Sequence, residues 1–320
     1  MKYPISKIQY PISFAFKLLL ILALSYGVNN QLKAQQNALY SQYMFNPFSM
    51  NPAYAGSRQS VSAVLLYRNH WVGIDGAPVS ETFSIHSPFK GKRVALGFNV
   101  INEKIGPRSN IGAFGTYAYH LHLNSGKLSM ALRGGIYRIQ VNEDILDFKD
   151  KNDIYNNTSI TGKFIPSFDF GLYYYTKTFY AGAAVTHLSQ KKIGSYDIEY
   201  LETQLYRHFI ATVGKAFVIN DNIVLKPSTM IRYLEGIPIN MDINMSCLFK
   251  KVFWIGASYR TSKDLVLITE FNITDYFRAG YSYDISLNEM RKYNSGSHEI
   301  FIGIDFEISK KKELLCPKFL

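Results

Sequence analysis

Beyond residue 57, apolar and polar positions alternate one by one along most of the chain. Ile239, Met241, Ile243 and Met245 are interleaved with Asn240, Asp242, Asn244 and Ser246. The run from Glu299 to Ile308 does the same, with Phe301 the exception, and segments 167–172 and 277–285 repeat it. A period of two sends successive side chains to opposite faces of a strand, whereas a helix would need a period of 3.6. The pattern predicts fourteen strands, near 58–71, 79–87, 93–102, 110–123, 127–140, 166–176, 178–188, 205–218, 223–233, 238–249, 252–260, 264–273, 276–285 and 297–308. The ninth contains Pro227, which has no N–H to give to a ladder.

The gaps between these segments alternate in length. Every second connection is a tight turn, as at 124–126, at Lys177 and at 220–222, while the connections 141–165, 189–204 and 286–296 are long. Most segments have about the 9–11 residues that a tilted strand needs to cross a bilayer. Short turns on one rim and long loops on the other mark an outer-membrane barrel, and an even strand count leaves both termini with the short, periplasmic turns. A soluble β-sandwich also alternates, but composition speaks against it. Apolar residues make up 47% of the 320 and charged residues only 18%, against about 25% in ordinary soluble domains. An exterior that faces lipid tolerates almost no charge. The expectation is therefore all-β: a transmembrane antiparallel β-barrel of about fourteen strands, of outer-membrane type, over 58–308.

The first 34 residues hold four Lys and no acid, with an apolar run from Leu18 to Leu24 and small or polar residues up to Ala34. This reads as a cleaved export signal, residues 1–34. Residues 35–57 form an arm and 309–320 a periplasmic tail that carries Lys310, Lys311 and Lys312. Without the signal, the net charge of +11 becomes +7, from 31 basic and 24 acidic residues. For a chain that leaves the cytoplasm, this excess implies no nucleic acid; the lipid bilayer is the partner that the pattern itself names.

Arg68, Arg133, Asp169, Asp242, Glu270, Arg278, Asp284, Asp305 and Glu307 fall on the inward parity, with Gly97, Gly112, Gly171, Gly182, Gly256, Gly280 and Gly303. The charges can pair across the interior or line a pore, and the glycines leave room for bulky neighbours or for a plug. Phosphate loops, nucleotide-binding glycine motifs and serine nucleophile elbows are absent, so no enzyme and no cofactor is expected. His120 and His122 share a strand face, but two imidazoles fall short of a metal site, which needs more ligands at set spacing. The two cysteines, Cys247 and Cys316, lie on strands far apart in order and read as unpaired.

Two stretches stand outside the alternation. The first, from Gln42 to Ser57, contains Asn46-Pro47 and Asn51-Pro52, each with aromatic neighbours, followed by Tyr54 and Gly56. The residue before proline is held extended, and Asn-Pro starts turns. A rigid, irregular and partly apolar arm results, which should pack in the barrel mouth, on the periplasmic rim or against a partner. The second runs from Tyr67 to Pro78 and includes Arg68, Trp71, Asp75 and Gly76. It bridges the first two strands at the outer rim, where Asp75-Gly76 signals a turn and Trp71 suits an interfacial belt.

Both stretches resemble the PorP/SprF family of outer-membrane proteins of the type IX secretion system in Bacteroidetes-type bacteria. The family pattern Q-Y-M-x-N-P-x-x-x-N-P-A-Y-A-G is met from Gln42 to Gly56, and Y-R-x-x-W-V-G-x-D-G-A-P from Tyr67 to Pro78. The ending Cys316-Pro317-Lys318-Phe319 is similar to the family's short Cys-Pro close. The resemblance implies a fourteen-stranded barrel in the cell outer membrane. It also implies a role in secretion and surface attachment of adhesins and other partners that carry a type IX C-terminal domain. Periplasmic components of the secretion system are implied as further partners, and gliding motility as one process served. Asn46, Pro47, Asn51, Pro52, Tyr54, Gly56, Arg68, Trp71, Asp75 and Gly76 are the candidates for assembly or partner binding. The alternative reading is an outer-membrane channel for small solutes.

Overall fold

The computed structural model describes residues 40–58, 60–89, 93–142, 164–190, 192–195 and 198–307. The expected signal, the basic tail, Cys316 and most of the loop at 141–165 lie outside them.

Fourteen antiparallel strands close into a barrel. They are β1 (Ser60–Asn69), β2 (Val79–Pro88), β3 (Val94–Ile105), β4 (Arg108–Leu123), β5 (Gly126–Val141), β6 (Phe164–Tyr175) and β7 (Phe179–Thr186). There follow β8 (His208–Lys215, resuming as Phe217–Asn220), β9 (Ile223–Leu234), β10 (Asn240–Phe249), β11 (Phe253–Arg260), β12 (Asp264–Asn272), β13 (Phe277–Ser286) and β14 (Ser297–Glu307). Each strand pairs with its neighbours in sequence, and β1 closes the ring on β14 from Ser60↔Glu307 to Asn69↔His298. Closure leaves no unpaired edge, which is the condition for strands to stand in hydrocarbon.

Two departures from the sequence reading are local. The predicted eighth strand, 205–218, is interrupted at Ala216, with a register shift against β9 between Val218 and Asn220. The connection 189–204 is not a plain loop: Lys192–Ser195 and Ile198–Gln204 pair as a small separate hairpin. Pro227 does stand within β9, opposite Met245.

Alternation sorts the side chains as the period of two requires. Along β10, Asp242 is 1% exposed and Ile243 is 51% exposed. The outer face carries Leu65, Leu132, Phe168, Met245, Leu267 and Ile302, all exposed. In an isolated soluble domain such a continuous apolar surface would be a liability; around a closed barrel it is the band that meets lipid. Phe301, out of step in composition, is in step in space: it points inward and is buried at 1% against the arm. Cys247 is a free cysteine on the outward parity of β10, half-buried.

Candidate functional site

The interior is filled. From Tyr40 to Ser57 nearly every arm residue is buried, Phe48, Ala53 and Ala55 completely. The arm therefore lies deeper than the mouth or rim expected from sequence. It descends the lumen. Tyr40 bonds Thr82 and Ser41 meets Glu299 towards the long-loop rim, while Ala55 meets His120 towards the short-turn rim.

Local chemistry shapes the arm. Pro47 opens the single helical turn α1 (Pro47–Met50), where its missing N–H costs nothing. Asn51 ends α1 and caps the next turn, Pro52–Tyr54, by accepting the N–H of Ala53 at 2.9 Å. Its Nδ2 donates outward to the Leu172 carbonyl at 2.9 Å and to that of Ala183 at 3.3 Å, stitching the arm to β6 and β7. Asn46 makes a weaker tie, accepting from the Ser84 hydroxyl at 3.3 Å. Pro52 and Asn51 fit against Gly171, where an added Cβ would fall 2.2 Å from Asn51 Oδ1. Tyr54 packs edge-on to His86 and Tyr173. Gly56 adopts φ +73°, and a Cβ there would collide with that of Ala95 at 2.3 Å. Its N–H donates to His86 Nδ1 at 3.2 Å, which places the His86 proton on Nε2.

Wall charges grip the arm's backbone. Glu299 accepts the N–H groups of Ser41 and Gln42, both at 2.8 Å, while the Gln42 amide donates to the Glu299 carbonyl at 2.9 Å. Arg278 donates to the Phe45 carbonyl at 3.0 Å. Arg68, from the second motif, reaches Ser41 Oγ, Glu299 and Asp284 at 2.9, 2.9 and 2.7 Å. The network runs on through Arg260 to Asp242 and Arg232. Arg133 pairs with Asp169 at 2.6 Å. The Lys226 ammonium lies over the rings of Trp254, at 4.7 Å, and Phe45, at 5.5 Å, a cation–π clamp.

The structure thus divides the candidate residues. Asn46, Pro47, Asn51, Pro52, Tyr54, Gly56 and Arg68 come together inside the barrel. Trp71, Asp75 and Gly76 sit apart, on the outer rim. Trp71 stacks on His70 with ring centres 4.2 Å apart, and its backbone N–H donates to Ser297 Oγ. Val72 and Ser295 interlock with their neighbours through Val72 N–H to Gly296 O and Ser295 N–H to Val72 O. The Gly106 N–H donates to the Gly76 carbonyl. Asp75 and Gly76 are exposed on this platform, and Tyr293 beside it is 70% exposed. Burial, followed by the Arg68 charge, holds the His70 imidazole down at about 3.

Glu299 and Ser41, the firmest arm contact, escaped the sequence reading. The signal was present: Glu299 shares the strand parity of Asp305. His120 faces the lumen, where it is engaged by Ala55 O and Tyr175 OH, whereas His122 is exposed at the rim. Among the described residues no group of three or more His, Cys, Asp or Glu could hold a metal ion. Above the arm, towards the long loops, lies a partly open pocket floored by Tyr40, Ser49 and Met50 and walled by Tyr137, His208 and Arg232 among others.

Several solved outer-membrane barrels are similar in fold. Omp33 of Acinetobacter baumannii is 10% identical, covering 78% of this chain and 99% of its own, with a TM-score of 0.45. The CymD monoaromatic hydrocarbon channel is 12% identical, with 86% and 94% covered and a TM-score of 0.47. The P. putida toluene transporter TodX is 8% identical, with 78% and 89% covered and a TM-score of 0.42. No curated protein matches the chain. One family does, over residues 32–304, described as the type IX secretion system membrane protein PorP/SprF. A match of that extent, on a closed barrel with an apolar exterior, makes this chain an outer-membrane member of the PorP/SprF family.

Proposed function

We propose that this barrel is a non-enzymatic accessory of the type IX system, assisting secretion and surface attachment of partner proteins such as adhesins with a type IX C-terminal domain. The observation that carries the reading is the family match across the barrel, joined to a lumen occupied by the protein's own arm. A filled barrel serves better as a scaffold than as an open pore. In this reading, Trp71, Asp75 and Gly76 present the outer platform to the secreted partner. Asn46, Pro47, Asn51, Pro52, Tyr54, Gly56 and Arg68 brace the platform from within and preserve the shape on which docking to periplasmic components depends.

The test is affinity capture of the tagged barrel from detergent-extracted outer membranes, with mass spectrometry of what accompanies it. Recovery of a large secreted protein through its C-terminal domain, or of periplasmic secretion components, supports the reading. A barrel that is recovered alone overturns it.

A further inference from the structure

We propose that the arm, residues 40–57, is a releasable stopper whose withdrawal through the short-turn rim opens the barrel as a conduit for small uncharged or zwitterionic hydrophilic solutes. This activity goes beyond the secretion role and does not rest on it.

The arm contributes no strand to the ring. It is folded as two short turns and runs directly into β1. A segment that joins the ring at the short-turn rim and gives it no strand can leave the lumen without parting any pair of strands.

The arm and wall are also incompletely bonded to each other. On the arm, Gln42 Oε1, Asn46 Nδ2 and Ser57 Oγ are buried without a hydrogen-bond partner; on the wall, so are Asn99, Ser129 and Ser282. A buried polar group that lacks a partner has surrendered a bond to water. Release of the arm lets water into the lumen and restores those bonds on both surfaces, which offsets part of the apolar contact that is lost.

Most wall charges have an ion partner within the wall, although Glu299 and Arg278 also bond the arm's backbone. Arg68 and Arg260 bridge Glu299, Asp284 and Asp242. Arg133 keeps Asp169, and Arg278 keeps Asp305 and Glu270. Withdrawal therefore separates none of these ion pairs; Lys226 loses the Phe45 ring and keeps that of Trp254. What it uncovers is a mixed lining, with hydroxyls, amides and paired charges, including Ser84, Asn99 and Ser246, beside apolar and aromatic side chains such as Leu66, Tyr173, Trp254 and Phe301. Its polar groups admit water, and its paired charges discriminate little between cations and anions.

Two wall substitutions test this in the full-length protein. A Cβ at Gly97 would stand 2.4 Å from Phe48 Cζ, and one at Gly171 would stand 2.2 Å from Asn51 Oδ1. Gly97→Leu and Gly171→Leu should expel the arm while leaving the strand ladder intact. Conductance is read in planar bilayers on protein shown to be folded by heat-modified gel mobility. The native barrel should be closed with brief openings, and the variants should hold lasting steps that pass potassium and chloride alike. Folded variants as closed as the native protein would overturn the proposal. Should the variants not fold, Ala53→Cys in a background of Cys247→Ser and Cys316→Ser decides the matter. Ala53 is fully buried in the lumen, so reaction with a charged maleimide while the barrel stays folded supports release. Reaction only after heat unfolding refutes it.

Discussion

Inside the barrel the guanidinium of Arg68 lies 2.7 Å from the carboxylate of Asp284, and the hydroxyl of Ser41 bonds to both. This contact joins the second sequence motif to the arm, one residue ahead of the first. Arg68 belongs to the stretch that ends at Pro78 on the outer rim, and Ser41 to the arm that fills the lumen. The outer platform and the plug are thus fastened at one cluster, with Glu299 completing it.

Arg68 is 1% exposed, so its removal leaves Asp284 and Glu299 short of a partner in a place that water does not reach. Arg68→Ala is expected to cost about 3–5 kcal/mol, the range for breaking a buried ion pair from one side. Urea unfolding in detergent checks this. Arg68→Ala with a native midpoint would mean that the cluster is hydrated.

The two Asn-Pro pairs should not be equal. Asn51 caps a turn and donates to two wall carbonyls, whereas Asn46 accepts one long bond and leaves its Nδ2 without a partner. Asn51→Ala is expected to lose about 1–3 kcal/mol, and Asn46→Ala clearly less. Unfolding of each single variant gives the order. The double variant should fold and yet impair surface display of secreted partners, read by cell-surface labelling; normal display would detach the arm from assembly.

Ile243 tests the outward face of β10, opposite to that of Asp242. Ile243→Arg puts a charge on the lipid side and should cost about 2–4 kcal/mol near mid-membrane. Heat-modified gel mobility and urea midpoints in lipid vesicles report it. An unchanged barrel would mean that this face does not meet hydrocarbon.

His70, half-buried in the rim loop after β1, is held far below its ordinary value by desolvation and by the Arg68 charge. In the unfolded chain a histidine takes up its proton near 6.5. Between that pH and about 3 the unfolded state holds a proton that the folded state refuses, so the contribution of His70 to stability falls as the pH falls. His70→Gln should make the urea midpoint less sensitive to acidification from pH 7.5 to 4.5 than that of the native protein. Equal sensitivity would place the pH response elsewhere.

The barrel was legible in the sequence because strand alternation is a local property. Asp242 and Ile243 are adjacent in the chain and part to opposite faces by backbone geometry alone. Fourteen such segments, with turn lengths alternating between rims, determined the ring, its apolar exterior and the inward parity of Arg68, Asp284 and Arg278. The family resemblance was carried by the two stretches outside the alternation, Gln42 to Gly56 and Tyr67 to Pro78. Only the tertiary structure decided what fills the ring. No period in the sequence tells that Ser41 meets Glu299 across 258 positions, or that Gly171 is small in order to receive Asn51. An irregular arm has no repeating face, so its place is set by the shape and charge of a surface that exists only once the strands have closed.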